Sequence, residues 1–175
     1  MNELTLVKPN TAYSEQIWEY RAEFLDVGDS LDGCAGLETA KNVNEWLSNI
    51  KKNSREATVA EGLVPATTYI AIRNVDNKVV GIIDIRHRLN DFLLNSGGHI
   101  GYSVRPTERQ KGYAKAMVHQ ALEYCSDTLE LSKVLITCNK ENIASAKTIL
   151  ANGGNLENEV PEGDKITQRY WINCR

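Results

Sequence analysis

Apolar positions along this chain recur with two rhythms, and the rhythms predict its elements. Residues 4–8, Leu-Thr-Leu-Val-Lys closed by Pro9, read as a short strand. From Tyr13 to Leu25, Tyr13, Ile17, Tyr20, Phe24 and Leu25 fall at helical spacing. A Gly/Asp-rich loop follows from Asp26 to Gly36, and then Val43, Trp46, Leu47 and Ile50 mark one face of a second helix. Residues 53–66 read as a long surface loop, a length that often carries function. Thr67–Arg73 and Lys78–Arg88 are strand-like runs joined by a hairpin signal, Asn74-Val75-Asp76-Asn77. Beyond the polar stretch Leu89–Gly97, a third run, Gly98–Arg105, stops at Pro106, which has no N–H for a ladder. Gly112–Cys125 carries Ala114, Met117, Val118, Ala121, Leu122 and Cys125 on one helical stripe. Lys133–Cys138 is a strand and Glu141–Asn152 a helix ended by Gly153-Gly154. Strands around Gly154–Val160 and Lys165–Ile172 complete the set.

Strand, two helices, three strands, helix, strand, helix, two strands is the order of one α/β domain covering residues 1–175, without repeats or linkers. Antiparallel hairpins followed by a strand–helix–strand crossover imply a mixed sheet with helices on both faces. At 175 residues, 42% hydrophobic and 25% charged, the chain has enough core to need no staples. A net charge of -3 argues against a general nucleic-acid binder and fits a cationic substrate slightly better than an anionic one. Cys34, Cys125, Cys138 and Cys174 form no C-x-x-C pair, so zinc and dithiol redox chemistry have little support, and Cys125 and Cys138 read as reduced core residues. With no leader-like segment ahead of the first strand and no apolar run near about 20 residues, the expectation is a cytoplasmic protein without a membrane partner.

The candidate chemistry lies between the fourth and fifth strands. Arg109-Gln110-Lys111-Gly112-Tyr113-Ala114 joins a Pro-terminated strand to an amphipathic helix. A helix N-terminus offers unpaired N–H groups and the positive end of the dipole, which suits a pyrophosphate. Gly112 lets the backbone approach the oxygens, Ala114 keeps the helix start small, and Arg109 and Lys111 add charge. The alternative is a plain loop with solvated basic side chains. No G-x-x-x-x-G-K-[ST] occurs and Gly97-Gly98-His99-Ile100-Gly101 does not fit G-x-G-x-x-G, which argues against P-loop ATP and Rossmann NAD sites.

Val104-Arg105-Pro106 followed by Arg109-x-x-Gly112-x-Ala114 resembles the acetyl-CoA signature [QR]-x-x-G-x-[GA] of the GNAT acetyltransferases. His99-Ile100-Gly101-Tyr102-Ser103-Val104 looks like the fourth strand of that fold. Asn142-x-x-Ser145 with Asn152-Gly153 resembles the second cofactor motif of the branch that acetylates ribosomal-protein N-termini and of its uncharacterised bacterial relatives. The resemblance implies a mixed, mainly antiparallel sheet, with acetyl-CoA as acyl donor and its pantetheine arm added along the fourth strand. Val104 would then lend backbone groups to the pantetheine, and a bulge at Tyr102-Ser103 would aim an N–H at the thioester carbonyl. Backbone N–H groups of Gln110, Lys111, Gly112, Tyr113, Ala114 and Lys115 would hold the pyrophosphate. Asn142 would reach the pantetheine, or would simply cap its helix.

The implied reaction is direct attack by a primary amine on the thioester, which needs a route for the amine's proton and a proton for the thiolate. Many family members carry a Tyr seven residues past the motif Asn as the acid; here the position is Ile149. Ser145 is the replacement candidate, against a reading as a small packing residue. His99 stands where relatives often carry Glu and is the candidate base, against a His bonded to backbone at a strand edge. His87 reads as a strand-end residue near the acceptor side, and His119 gives no metal spacing with either. The acceptor is expected against Trp18–Asp32, the loop 53–66 and Arg86–Asn95, with Asp26, Asp29, Asp32 and Asp91 as possible attractants for an ammonium. It is a small amine or a protein N-terminus, and a homodimer is open. A non-catalytic acyl-CoA-binding module, which Ile149 permits, and a partner-binding domain with a vestigial turn are the alternatives.

Overall fold

A computed structural model describes residues 3–174. The elements run β1 (Leu4–Val7), α1 (Ser14–Asp26), α2 (Val43–Lys52), β2 (Ala66–Arg73), β3 (Lys78–Arg86), α3 (Asp91–Asn95), β4 (Ile100–Val104), α4 (Tyr113–Asp127), β5 (Lys133–Asn139), α5 (Ile143–Ala151), β6 (Asn155–Glu162) and β7 (Lys165–Asn173). The expected order holds. The addition is α3, five residues inside the stretch read as polar loop, too short to show a period and started by Asn90, whose side chain accepts from the Leu93 N–H.

The strands form two antiparallel ladders, β1-β2-β3-β4 and β5-β7-β6. One face of the sheets is covered by α4 and α5, through Met117, Val118, Ala121, Cys125 and Ile149. The other is covered by α1 and α2, through Ile17, Tyr20, Phe24, Trp46 and Ile50 on Ile70, Ile72, Val79 and Ile82. Alternation along β3 changes phase once. Val80 packs toward α4 while Ile82 packs toward α1, because Ala71 faces Gly81 and Ile72 faces Val79, leaving Val80 as a bulge. The bulge therefore lies in β3, and β4 pairs β3 without interruption from Gly81–Val104 to Ile85–Ile100; the bulge expected at Tyr102-Ser103 is absent.

The two ladders meet at one point. Gly98 bridges Ile136, the His99 N–H donates to the Leu135 carbonyl at 2.7 Å, and the Leu135 N–H donates to His99 Nδ1 at 2.9 Å. Beyond this clasp β4 has, among the described residues, no ladder partner but β3, so its other edge stays open. Gly98 makes the approach possible: its φ is +65°, and a Cβ there would lie 2.4 Å from the Leu135 oxygen. Gly28 has nearly the same φ, +67°, with nothing within 4 Å of a Cβ. In denaturant unfolding Gly28→Ala is expected to cost about 1 kcal/mol, the strain of the left-handed backbone alone. Gly98→Ala is expected to cost about 3 kcal/mol, strain plus overpacking. Equal costs would mean that the clasp is not tight.

Candidate active site

Where β4 parts from β5, a cleft of about 1000 Å³ opens. It runs from the turn Arg109–Lys115, past β4 and the start of α5, to the α1–α2 loop, the end of α3 and the β6–β7 turn. The direction of the β4 backbone follows from the ladder. Arg105 N–H donates to the Val80 carbonyl, and in an antiparallel pair such bonds recur every second residue. Ser103 and Gly101 thus pair with β3, whereas Tyr102 and Val104 turn their N–H and C=O toward the cleft.

At one end of the cleft, Gln110 and Gly112 both have left-handed backbone, φ +63° and +82°. This curls the chain so that α4 begins with no side-chain cap. Its ladder starts with Ala116 N–H on the Gly112 carbonyl, so the preceding N–H groups, from Tyr113 to Lys115, lack helical acceptors. The side chains are arranged differently from the sequence expectation. Arg109 bonds Asp29 at 2.7 Å and the Val104 carbonyl at 3.3 Å and lies over the Phe24 ring. Lys111 bonds Glu108 at 2.6 Å, and the Tyr113 ring is buried, its hydroxyl on Glu3. Glu108 is itself buried and also takes Lys78 and Arg73, both at 2.7 Å. Hydrogen bonds from Lys111, Lys78 and Arg73 hold its carboxyl down at about 2. The two cations of the motif are thus wired into the protein, and the backbone is what the turn presents.

Midway along the cleft, the Tyr102 hydroxyl lies 2.7 Å from Ser145 Oγ, and Cys138 lines the same wall. Burial pushes the Tyr102 phenol up to about 12 and the Cys138 thiol upward as well. Asn142 is the N-cap of α5, its Oδ1 accepting from the Ser145 N–H at 3.1 Å. Ser103 turns its side chain away from the cleft, onto Tyr20 at 2.8 Å and Cys34 at 3.1 Å. Ile149 is wholly buried against Gly154 and does not line the cleft.

His99 is corrected by this geometry. Its Nδ1 lone pair is held by the Leu135 N–H, and burial, then Arg86, push the ring down to about 4. An imidazole that must break a hydrogen bond and charge a buried site to take a proton is a structural residue, the backbone-bonded His of the alternative reading. His87 bonds Thr67 at 2.7 Å, off the cleft, and exposed His119 pairs with Glu123. Among the described residues no His, Cys, Asp and Glu cluster could hold a metal.

The far end of the cleft holds groups the sequence did not single out. Glu162 Oε2 accepts from Thr167 at 2.6 Å and from Ser96 at 3.0 Å, bonds that lower its carboxyl and keep it ionised. Arg86 is anchored by Asp84 at 3.1 Å and donates to the Gly97 carbonyl at 3.3 Å. Asp84 accepts from Thr68 at 2.9 Å, and its burial raises its carboxyl despite the Arg86 charge. Ser96 and Glu162 lie 66 residues apart, so no local motif could have joined them. Asp29 and Asp32 line the cleft; Asp26, Asp91 and the whole loop 53–66 do not, which corrects that part of the expected acceptor surface.

The clasp reading of His99 has a pH signature. Its folded pKa of about 4 lies below the ordinary 6.5, so the unfolded chain binds more protons between these values and stability falls as pH drops through that window. His99→Asn keeps an acceptor near Nδ1 and is expected to flatten the fall. His99→Ala orphans the Leu135 N–H and is expected to cost about 2 kcal/mol at pH 7. An acid limb of the stability curve unchanged in His99→Asn would place the ring elsewhere.

Residues 7–155 match the acetyltransferase (GNAT) domain family. Among curated proteins, the uncharacterized N-acetyltransferase YnaD of Bacillus subtilis (strain 168) is 29% identical over 76 residues, which span 41% of this chain and 45% of that protein. Among solved structures, a GNAT-family acetyltransferase from Bacillus anthracis is 20% identical with a TM-score of 0.66, covering 99% of this chain and 96% of its own. The ribosomal-protein-S5-alanine acetyltransferase of Vibrio fischeri is 13% identical with a TM-score of 0.70, covering 99% and 94%. The microcin C7 self-immunity acetyltransferase MccE, solved with acetyl-CoA and AMP, is 18% identical with a TM-score of 0.66, covering 99% and 93%. With the family pattern matched from β1 into β6, across the turn, the open strand edge and the capped α5, the chain belongs to the GNAT acetyltransferase family.

Proposed function

We propose that this protein moves an acetyl group from acetyl-CoA to a primary amine, by direct attack of the amine on the thioester, within one domain covering residues 1–175. The observation that carries the reading is the open edge of β4 in line with an uncapped helix start, at the two places where an amide-bearing arm and a pyrophosphate need donors. The Tyr102 backbone and the Val104 N–H pair with the arm, the Gln110–Lys115 turn takes the phosphates, and Asn142, which lines the same cleft, assists through its amide.

The acceptor enters from the end lined by Asp32, Arg86 and Glu162. Ionised Glu162 attracts an ammonium, and water takes the proton as the amine attacks, since His99 is committed to the clasp. The Arg86 guanidinium works against a second ammonium and favours an amine flanked by a carbonyl or carboxylate. That description fits a peptide N-terminus or an amino acid derivative better than a polyamine. Among the described residues no helix is long and apolar enough to cross a membrane.

Acetyl-CoA is expected to raise the melting temperature, because a ligand that binds only the folded chain stabilises it. Gly112→Glu, which sets a carboxylate at the phosphate turn, should abolish this shift, while Gly112→Ala, carrying similar backbone strain without the charge, should keep most of it. Equal stabilisation of wild type and Gly112→Glu would put the phosphates elsewhere.

A further inference from the structure

The acceptor end of the cleft carries a negative and a positive side chain held on one dipeptide. Glu162 accepts from the Ser96 hydroxyl at 3.0 Å, and Arg86 Nη1 donates to the carbonyl of the next residue, Gly97, at 3.3 Å. We propose that the acceptor is an α-amino acid with a free carboxylate, its amino group toward Glu162 and its carboxylate on the Arg86 guanidinium. Arg86 is then the residue that selects the substrate; the inference rests on the acetyl-transfer reading above and narrows it.

The neighbours of Arg86 fix where its guanidinium lies. Its backbone N–H donates to the His99 carbonyl at 2.7 Å, at the end of the β3–β4 ladder. Its Nε meets Asp84 at 3.1 Å, and Asp84, 5% exposed, is itself held by Thr68 at 2.9 Å. Gly101 leaves the room: a Cβ there would lie 3.1 Å from Arg86 Nη1 and 3.2 Å from Nη2. The fork therefore rests against the β4 residue just before Tyr102, on the wall of the cleft. Asp84 takes its Nε edge and Gly97 takes Nη1, while Nη2 has no hydrogen-bond partner among the described residues.

An anchored fork with donors to spare suits a carboxylate, because charge-assisted bonds are the stronger ones and two oxygens match its planar geometry. A peptide N-terminus sets only a neutral carbonyl beside its amine, and a polyamine sets a second cation there, which Arg86 repels. An amino acid meets both side chains with its own two charges. Asp84 acts through Arg86: its buried carboxylate keeps the long side chain from swinging out to water, so it is a positioning residue.

Initial-rate acetylation of the free L-amino acids, each beside its carboxamide, its decarboxylated amine and a dipeptide that it begins, tests the assignment. In the wild type, kcat/KM for the best amino acid should exceed that for its carboxamide by about 10²-fold or more, the cost of leaving a charge without its partner. Asp84→Asn/Arg86→Gln, which leaves no buried carboxylate unpaired, should bring the two values together, chiefly through the KM of the amino acid. It should also keep the acetyl-CoA-induced melting shift. Asp84→Asn alone should lower the same ratio part of the way, again through KM. A carboxamide, decarboxylated amine or dipeptide preferred to every free amino acid by the wild type would overturn the inference and leave acetyl transfer standing. A ratio unchanged in the double variant would overturn the role of Arg86 in the same way. A wild type that binds acetyl-CoA and acetylates no amine of any class would overturn both.

Discussion

Everything in the candidate site depends on two ladders whose main chains, among the described residues, join at one clasp and part beyond it. Leu135 has both of its backbone groups taken by His99, the carbonyl by the main chain and the N–H by the ring. Gly98 beside it approaches too closely for any side chain. One residue further along, the strands have parted, and the β4 edge is left without a strand partner, its Val104 carbonyl taken by the Arg109 side chain. An unpaired edge is ordinarily a liability for a soluble protein. Here it lines a cleft between α5 and the turn that begins α4.

A second constraint is electrostatic. Glu108 gathers Arg73, Lys78 and Lys111, and Asp29 takes Arg109, so the basic residues of the turn are held as parts of ion pairs. A buried charge such as that of Glu108 is retained only where partners and hydrogen bonds satisfy it. The arrangement fixes the curl from Arg105 to Gly112, and with it the direction of the orphan N–H groups. It also links the turn to the α1–α2 loop through the Arg109–Asp29 pair, so the two ends of the cleft share one contact.

Much of this was legible in the residues because it is local. The two apolar rhythms gave the element order, Pro106 ended β4, and the spacing from Arg109 to Ala114 marked the turn that starts α4 with unpaired N–H groups. What escaped was decided by distant pairing. The bulge belongs to Val80 rather than to β4, because it depends on the β2–β3 register. His99 looked like a base because a lone imidazole before Ile-Gly-Tyr shows nothing of the strand that binds it. Tyr102 was valued for its backbone alone, since its hydroxyl meets Ser145 across 43 residues of sequence. Glu162, Ser96 and Thr167 meet only after β6, β7 and α3 have folded together.

The claim at the centre is that β4 keeps the alternate N–H groups of Tyr102 and Val104 free for the acyl donor. Residue-resolved amide hydrogen exchange, with and without acetyl-CoA, tests it directly through a period-two pattern. The N–H groups of Tyr102 and Val104 should exchange fast in the free protein and slow at least tenfold on binding. Those of Gly101 and Ser103, already bonded to β3, should be slow in both. Protection of all four to the same degree, or no change at Tyr102 and Val104 while the ligand is demonstrably bound, would contradict the account.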